Sequence, residues 1–309
     1  RIGFRVVDTS SNRIRINGEE VKLLGYCRHE AHPQFGPALP LAQMVQDLQL
    51  IRELGCNFIR GSHYPQDPDF LDLCDELGIY VFEEALGWSG DEKQFAHPNF
   101  RKEQLEQVHL MIRKSYNRPC VILWGFLNEG HSNDETAKHI YRDLAATIRE
   151  EDKTRPVNYA SIHPYGDCCY EYADVISINI YPGWYAQDRD QHRPLDEITV
   201  TLDKILAHLQ SCGQGGKPFI LSEIGAGAIY GWHDPLRSHW TEEYQSDYLD
   251  IVCQKVISDQ RISGVSLWQF CDCRTYSSAH ALGRPRAFNN KGTFDDYRRP
   301  KMAAQIVRT

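Results

Sequence analysis

From Leu23 onward the chain alternates between two hydrophobic periods. Short apolar runs, of the kind that form strands buried on both faces, recur at Val21–Tyr26, Asn57–Arg60, Ile79–Phe82, Val121–Leu127, Val157–Ala160, Val175–Asn179, Phe219–Glu223 and Gly264–Trp268. Most are separated by segments with helical spacing. In Leu41–Leu54 the apolar positions are Leu41, Met44, Val45, Leu48 and Ile51, and the segment stops before Gly55. Pro68–Leu77 opens on proline and closes at Gly78, and Asn99–Tyr116, Asp134–Glu150, Leu195–Leu209 and Glu242–Ser258 complete the set. Eight strand–helix units over about 290 residues predict an α/β fold, a TIM (β/α)8 barrel. A doubly wound sheet would have fewer strands and a glycine-rich first turn, and neither G-x-G-x-x-G nor a phosphate-loop lysine motif occurs. Residues 1–20 precede the alternation and read as a hairpin: Phe4–Val7, Arg13–Ile16, then a tight turn at Asn17-Gly18.

Several classes of function are set aside by composition. Net charge is −8 with no dense basic cluster, so nucleic acid is not an expected partner. No apolar run approaches the roughly 20 residues of a membrane span, and no signal-peptide pattern follows Arg1. None of the ten cysteines forms a Cys-x-x-Cys pair or a zinc-finger spacing. They read as buried thiols, which favours a reducing, cytoplasmic setting. The span from Gln269 to Arg298 reads as a long loop, too polar and glycine-rich for a buried element.

Two strands end alike. Val121-Ile122-Leu123-Trp124-Gly125-Phe126-Leu127 runs into Asn128-Glu129-Gly130, and Pro218-Phe219-Ile220-Leu221 runs into Ser222-Glu223-Ile224-Gly225. In a barrel the carboxyl ends of all strands meet at one mouth. That mouth collects Arg28, His29 and Glu30; Arg60, Ser62, His63 and Tyr64; Glu83 and Glu84; Asn128 and Glu129. It also collects Ser161 and His163; Asn179, Tyr181, Trp184 and Tyr185; Glu223; and Trp268 and Asp272. Acidic, aromatic and amide groups together suit a sugar, whose C–H faces stack on rings while its hydroxyls take amides and carboxylates. Strands 4 and 7 of such a ring lie on opposite sides, so Glu129 and Glu223 can face each other across a glycosidic bond. Glu129 is expected to be the protonated partner, its pKa raised by burial and by the charge of Glu223.

These residues resemble the catalytic signatures of glycoside hydrolase family 2. The likeness extends to Asn17-Gly18, Leu24-Gly25 and Arg28-His29-Glu30, to Asn57-Phe58-Ile59-Arg60-Gly61-Ser62-His63-Tyr64-Pro65, and to Asn179-Ile180-Tyr181-Pro182-Gly183-Trp184-Tyr185. The resemblance implies that Glu129 is the acid/base and Glu223 the nucleophile of a retaining exo-glycosidase, with Asn128 on the sugar 2-hydroxyl. It also implies that Tyr181 holds the nucleophile and that His63, Tyr185 and Trp268 line the subsite. Asn289-Asn290-Lys291-Gly292 resembles the uronate-recognition motif of the family's β-glucuronidases, with Asn289 and Lys291 on the C6 carboxylate and Arg286 as a third donor. An ammonium and amide donors converging on a carboxylate discriminate strongly against a neutral hydroxymethyl group.

The resemblance further implies a carbohydrate substrate, a glucuronide or related glycoside, with no cofactor and no metal. A homo-oligomer remains open. Residues 1–20 are expected to be the trailing β segment of a preceding β-sandwich domain or a hairpin leading into the barrel, and residues 21–309 the catalytic barrel. The Arg28–Pro40 segment departs from the β-glucuronidase pattern, which bears on the sugar and on the aglycone. The enzymatic alternatives are a family 2 β-galactosidase, another uronidase or another exo-glycosidase. Two further alternatives are a non-catalytic carbohydrate-binding barrel, and a metal-dependent hydrolase using His29, His63 and His163. The last lacks a His-x-His pair or similar ligand spacing.

Overall fold

A computed structural model describes residues 3–90, 92–185, 194–275 and 283–308. Eight parallel strands close into a barrel: β4 (Leu23–Arg28), β5 (Phe58–Gly61), β6 (Tyr80–Glu84), β7 (Val121–Asn128), β8 (Val157–Ser161), β9 (Ile176–Asn179), β10 (Phe219–Ile224) and β11 (Gly264–Leu267). They run in sequence order, with β11 pairing back onto β4. Among the described residues the α-helices are α1 (Leu41–Glu53), α2 (Pro68–Leu77), α3 (Glu92–Phe95), α4 (Phe100–Ser115), α5 (Lys138–Glu151), α6 (Glu197–Ser211), α7 (Glu242–Ser258) and α8 (Met302–Arg308). The main hydrophobic cluster joins strand residues such as Ile59, Val81 and Trp124 to helix residues such as Leu48, Phe70, Leu144 and Val252.

Capping chemistry sets the helix bounds. Asp67 caps α2 by accepting from Asp69 N, Pro68 occupies its first turn, and Gly78 closes it at φ +69°. Thr241 caps α7 by accepting from Tyr244 N. Within the barrel, Gly25 is required by packing: a Cβ there would lie 1.6 Å from Phe58 O. A Cβ at Gly125 would lie 2.2 Å from the Phe82 ring and 3.0 Å from Glu84 Cγ, so this glycine leaves room for a carboxylate inside the barrel.

The amino-terminal segment forms a small antiparallel sheet, β1 (Val7–Asp8), β2 (Arg15–Ile16) and β3 (Glu19–Glu20). Its Ile14 and Ile16 pack with Leu23, Phe58, Phe82, Ile122 and Ile220 in a second cluster. The strands contribute those partners from the end away from the mouth, so the sheet plugs the bottom of the barrel.

The expectation of an unburied loop after Gln269 is corrected. β12 (Cys273–Arg274) pairs with β13 (Phe288–Asn289), and Asn289, Asn290, Lys291, Thr293, Phe294 and Asp295 are all buried. Hydrogen bonds make that burial tolerable. Lys301 Nζ reaches Asp272 Oδ1 at 2.8 Å and Asn290 O at 3.0 Å, and Gly292 N donates to Asp272 Oδ1 at 2.9 Å. Residues 276–282 of that span lie outside the described residues. The ten cysteines are free thiols. Among the described residues no helix is long and apolar enough to cross a membrane.

Candidate active site

Strand alternation decides which of two neighbouring carboxylates enters the barrel. On β6, Glu84 turns inward and Glu83 outward, where Glu83 Oε1 accepts from Ser115 Oγ and Gln66 N, both at 3.2 Å. Glu84 Oε1 instead takes the Arg60 Nε donor at 2.6 Å, and its Oε2 lies 3.0 Å from His63 Nδ1. Arg60 then spans the base of the mouth: Nη1 donates to Glu223 Oε1 at 2.8 Å and Nη2 to Asn128 Oδ1 at 2.7 Å. The second oxygen of Glu223 accepts from Tyr181 Oη at 2.6 Å.

Glu129 reaches the same network from the opposite side. Asn179 Nδ2 donates to Glu129 Oε1 at 3.0 Å and to Asn128 Oδ1 at 2.9 Å, while Asn179 Oδ1 accepts from Ser222 Oγ at 2.7 Å. The two glutamates thus share one polar cavity. Glu129 sits in the left-handed region at φ +50°, just past the end of β7, with its N–H bonded to Ala160 O at 2.9 Å. Such backbone costs on the order of 1–3 kcal/mol and is typical of functional sites. Asn128 Nδ2 is buried and has no hydrogen-bond partner, so one donor faces the cavity unused.

Electrostatics separate the two carboxylates. Burial is the largest cause raising the Glu129 pKa, and Asn179 only partly offsets it. Repulsion between the two carboxylates disfavours ionising both, as the sequence predicts, and Glu84 adds to the rise at Glu129. Glu223 is raised by burial and then by Glu129, against Arg60, His63 and Tyr181. Of the two, Glu223 has the strong donors to its anion and Glu129 a single amide. The proton of the pair therefore belongs on Glu129. Burial also opposes ionisation of Glu84, but Arg60 and His63 outweigh it and hold its pKa down.

Aromatic rings form the wall. Trp268 stacks on His63 at 5.4 Å and 9°, and His29 meets Trp268 edge-on at 5.2 Å. Burial lowers the His29 pKa to about 3, with His63 and Arg60 adding to the effect, so this imidazole is neutral. On the adjoining side Lys291 is buried, and its Nζ contacts Tyr185 Oη at 2.6 Å. It lies 5.2 Å from the Tyr181 ring centroid and 4.5 Å from that of Tyr185. Among the described residues no carboxylate pairs with it. Burial lowers the Lys291 pKa. Burial also works against ionisation of the Tyr185 phenol, but Lys291 and Arg284 outweigh it and lower its pKa. Asn289 is buried two residues earlier, its Oδ1 accepting from Lys291 N at 3.4 Å.

Of the residues singled out in the sequence, Glu129, Glu223, Asn128, Tyr181 and His63 come together in one network, and Trp268, Tyr185 and Lys291 bound it. Arg286 does not join them. It is exposed at φ +57°, with its guanidinium 5.6 Å from the Phe288 ring centroid. The arginine near Tyr185 and Lys291 is Arg284, two residues earlier. Asp272 anchors the carboxyl-terminal segment, and Trp184 stacks on His239 at 4.3 Å in the aromatic core. Arg60, Glu84 and Asn179 were visible at strand ends but without roles, because only the inward register of each strand distinguishes them from neighbours such as Glu83. Among the described residues no group of three or more His, Cys, Asp or Glu has the arrangement of a metal site.

A barrel whose fourth and seventh strands present facing glutamates to one cavity has the form of a glycosidase. The profile of glycosyl hydrolases family 2, TIM barrel domain, matches residues 7–309, and the chain belongs to that family. Among solved structures it is similar to a family 2 β-galacturonidase from Eisenbergiella tayi bound to galacturonate, with 43% identity and a TM-score of 0.91 over 100% of this chain and 54% of that one. A β-D-glucuronidase from Dictyoglomus thermophilum has 29% identity and a TM-score of 0.91 over 99% of this chain and 53% of that one. The β-glucuronidase of Rattus norvegicus is 32% identical over 312 residues, which is 99% of this chain and 46% of the relative. The chain thus spans about half the length of the curated relatives it matches.

Proposed function

We propose that this chain hydrolyses terminal β-linked uronides and retains the anomeric configuration. The observation that carries the reading is Lys291, a buried ammonium beside the two glutamates whose one side-chain hydrogen-bond partner among the described residues is a phenol. A buried cation wants an anion, and the C6 carboxylate of a uronic acid would replace the Tyr185 hydroxyl at Lys291 Nζ. Arg284 adds a second positive charge on that side.

Catalysis follows from the ionisation of the pair. Glu223, aligned by Arg60 and Tyr181, attacks the anomeric carbon while Glu129 gives its proton to the leaving oxygen. The unused Asn128 Nδ2 donates to the 2-hydroxyl. Once Glu223 is esterified its charge is gone, the pKa of Glu129 falls, and the carboxylate left by the first proton transfer takes the proton of the attacking water. Of the two C4 epimers the galacturonide is favoured, because the 43% identity to a β-galacturonidase spans the whole barrel. The glucuronide is the second reading, carried by β-glucuronidase relatives such as that of Rattus norvegicus at 32% identity.

Rates on 4-nitrophenyl β-D-galacturonide, β-D-glucuronide and β-D-galactoside test the proposal, with the first-formed anomer followed by proton NMR. Cleavage of a uronide with release of the β-anomer, abolished in a folded Glu223→Gln variant, is the expected result. Turnover of the galactoside alone, release of the α-anomer, or activity surviving in Glu223→Gln would overturn it.

A further inference from the structure

The strap that follows β6 crosses directly above the acid side of the cavity. Asn128 N donates to Gly87 O and Ser89 N donates to Asn128 O, at 2.9 and 2.8 Å, which makes Trp88 the parallel bridge partner of Asn128. Bridge partners project their side chains to the same face of a sheet. The Asn128 side chain points into the barrel, where it meets Arg60 and Asn179, so the Trp88 indole projects over the mouth beside it. Asn128 is the residue immediately before Glu129, the group that faces the leaving oxygen.

Trp88 is 65% exposed, an unusual state for an indole held on a hydrogen-bonded backbone. An open indole face beside the polar groups of Asn128 and Glu129 fits a ring: flat C–H or π surface against the indole, polar substituents toward the mouth.

We infer that Trp88 is the platform for the leaving group of the substrate, so that the chain prefers uronides whose aglycone is a ring, either a second sugar or an aryl group. The inference rests on the proposed glycosidase reading, because Glu129 defines which side of the cavity the leaving group occupies. It is silent on the sugar that is cleaved.

The test compares Trp88→Ala and Trp88→Phe with the unchanged chain on three glycosides of one sugar, bearing a methyl, a 4-nitrophenyl or a monosaccharide leaving group. Removing one stacked ring predicts a loss in kcat/KM of about 3- to 10-fold for the ring-bearing substrates, mainly through KM, and almost none for the methyl glycoside. Trp88→Phe restores part of the loss. Loss with the monosaccharide leaving group identifies a sugar aglycone, and loss with the nitrophenyl group alone identifies an aromatic one. Equal losses on all three substrates, or none on any, would overturn the platform. Because the comparison is made on whichever glycoside the chain cleaves, turnover of galactosides in place of uronides would sink the uronide reading and leave the test of Trp88 intact.

Discussion

Lys291 and Glu83 show what burial does to an ionisable side chain. Lys291 is stabilised by three aromatic faces and one phenol, an arrangement that tolerates a cation but does not neutralise it. A charge-assisted bond to substrate is worth about 1.5–3 kcal/mol. Lys291→Ala is therefore expected to lower kcat/KM for a uronide by about 10- to 150-fold and to leave any activity on a neutral galactoside nearly unchanged. Parallel assays on the two substrates check it, and equal losses would disconnect Lys291 from the carboxylate. Glu83 lies just outside the cavity, and burial raises its pKa to about 8, with Ser115 and Gln66 N as partial offsets. A carboxyl raised in the folded state contributes stability that is fully present below its unfolded pKa of about 4.3 and is lost as pH rises to about 8. Glu83→Gln, which does not titrate, should gain on the unchanged protein across that window, by up to about 1.4 kcal/mol per pH unit. Urea denaturation at pH 5 and pH 8 reads the difference, and a constant difference would mean that Glu83 is ionised when folded.

The elements vary in how openly the sequence declares them. Pro68 and Gly78 bracket α2, which begins and ends where they predict, and α7 covers the Glu242–Ser258 segment whose spacing is helical. The strand ends were equally open, because a parallel barrel turns every apolar run toward one mouth. The segment after Gln269 was hidden because its burial rests on ion pairs and backbone bonds, Lys301 with Asp272 and Arg299 with Asp295, and no hydrophobic period reports those. Arg286 was misplaced for a related reason: a left-handed backbone at Arg286 and Ala287 turns the loop and moves the inward position to Arg284. The amino-terminal sheet is the element whose contribution is most directly measurable. Its Ile14 is fully buried among the residues that close the barrel floor. We propose that residues 1–20 serve as this plug and residues 21–309 as the catalytic barrel. Ile14→Ala should cost about 2–5 kcal/mol, seen as a lower urea midpoint with an unchanged slope. A loss below about 0.5 kcal/mol, the level of an ordinary surface site, would show that the barrel closes without the plug.

At the scale of the whole molecule, the barrel brings groups from β5, β6, β7, β9 and β10 into one hydrogen-bonded array whose working state depends on pH. If Glu223 must be ionised and Glu129 protonated, kcat/KM falls on the acid side as Glu223 takes up a proton and on the alkaline side as Glu129 loses one. Both carboxyls are raised by burial, so the acid limb lies above the ordinary glutamate range. The alkaline side has a second contributor, because Lys291 and the Tyr185 phenol have both been lowered and the proposed carboxylate subsite would fail when the ammonium loses its proton. Glu129→Gln separates the two. With a good leaving group such as nitrophenolate the first step needs little protonation, so the variant should lose about 100- to 10,000-fold in kcat, limited by hydrolysis of the ester. Its kcat/KM should keep the acid limb of Glu223, while the alkaline limb moves up to where Lys291 and Tyr185 titrate. The pH profile of the variant on 4-nitrophenyl uronide measures this shift. An alkaline limb with an unmoved midpoint would assign the proton to another group, and the division of labour between β7 and β10 would have to be redrawn.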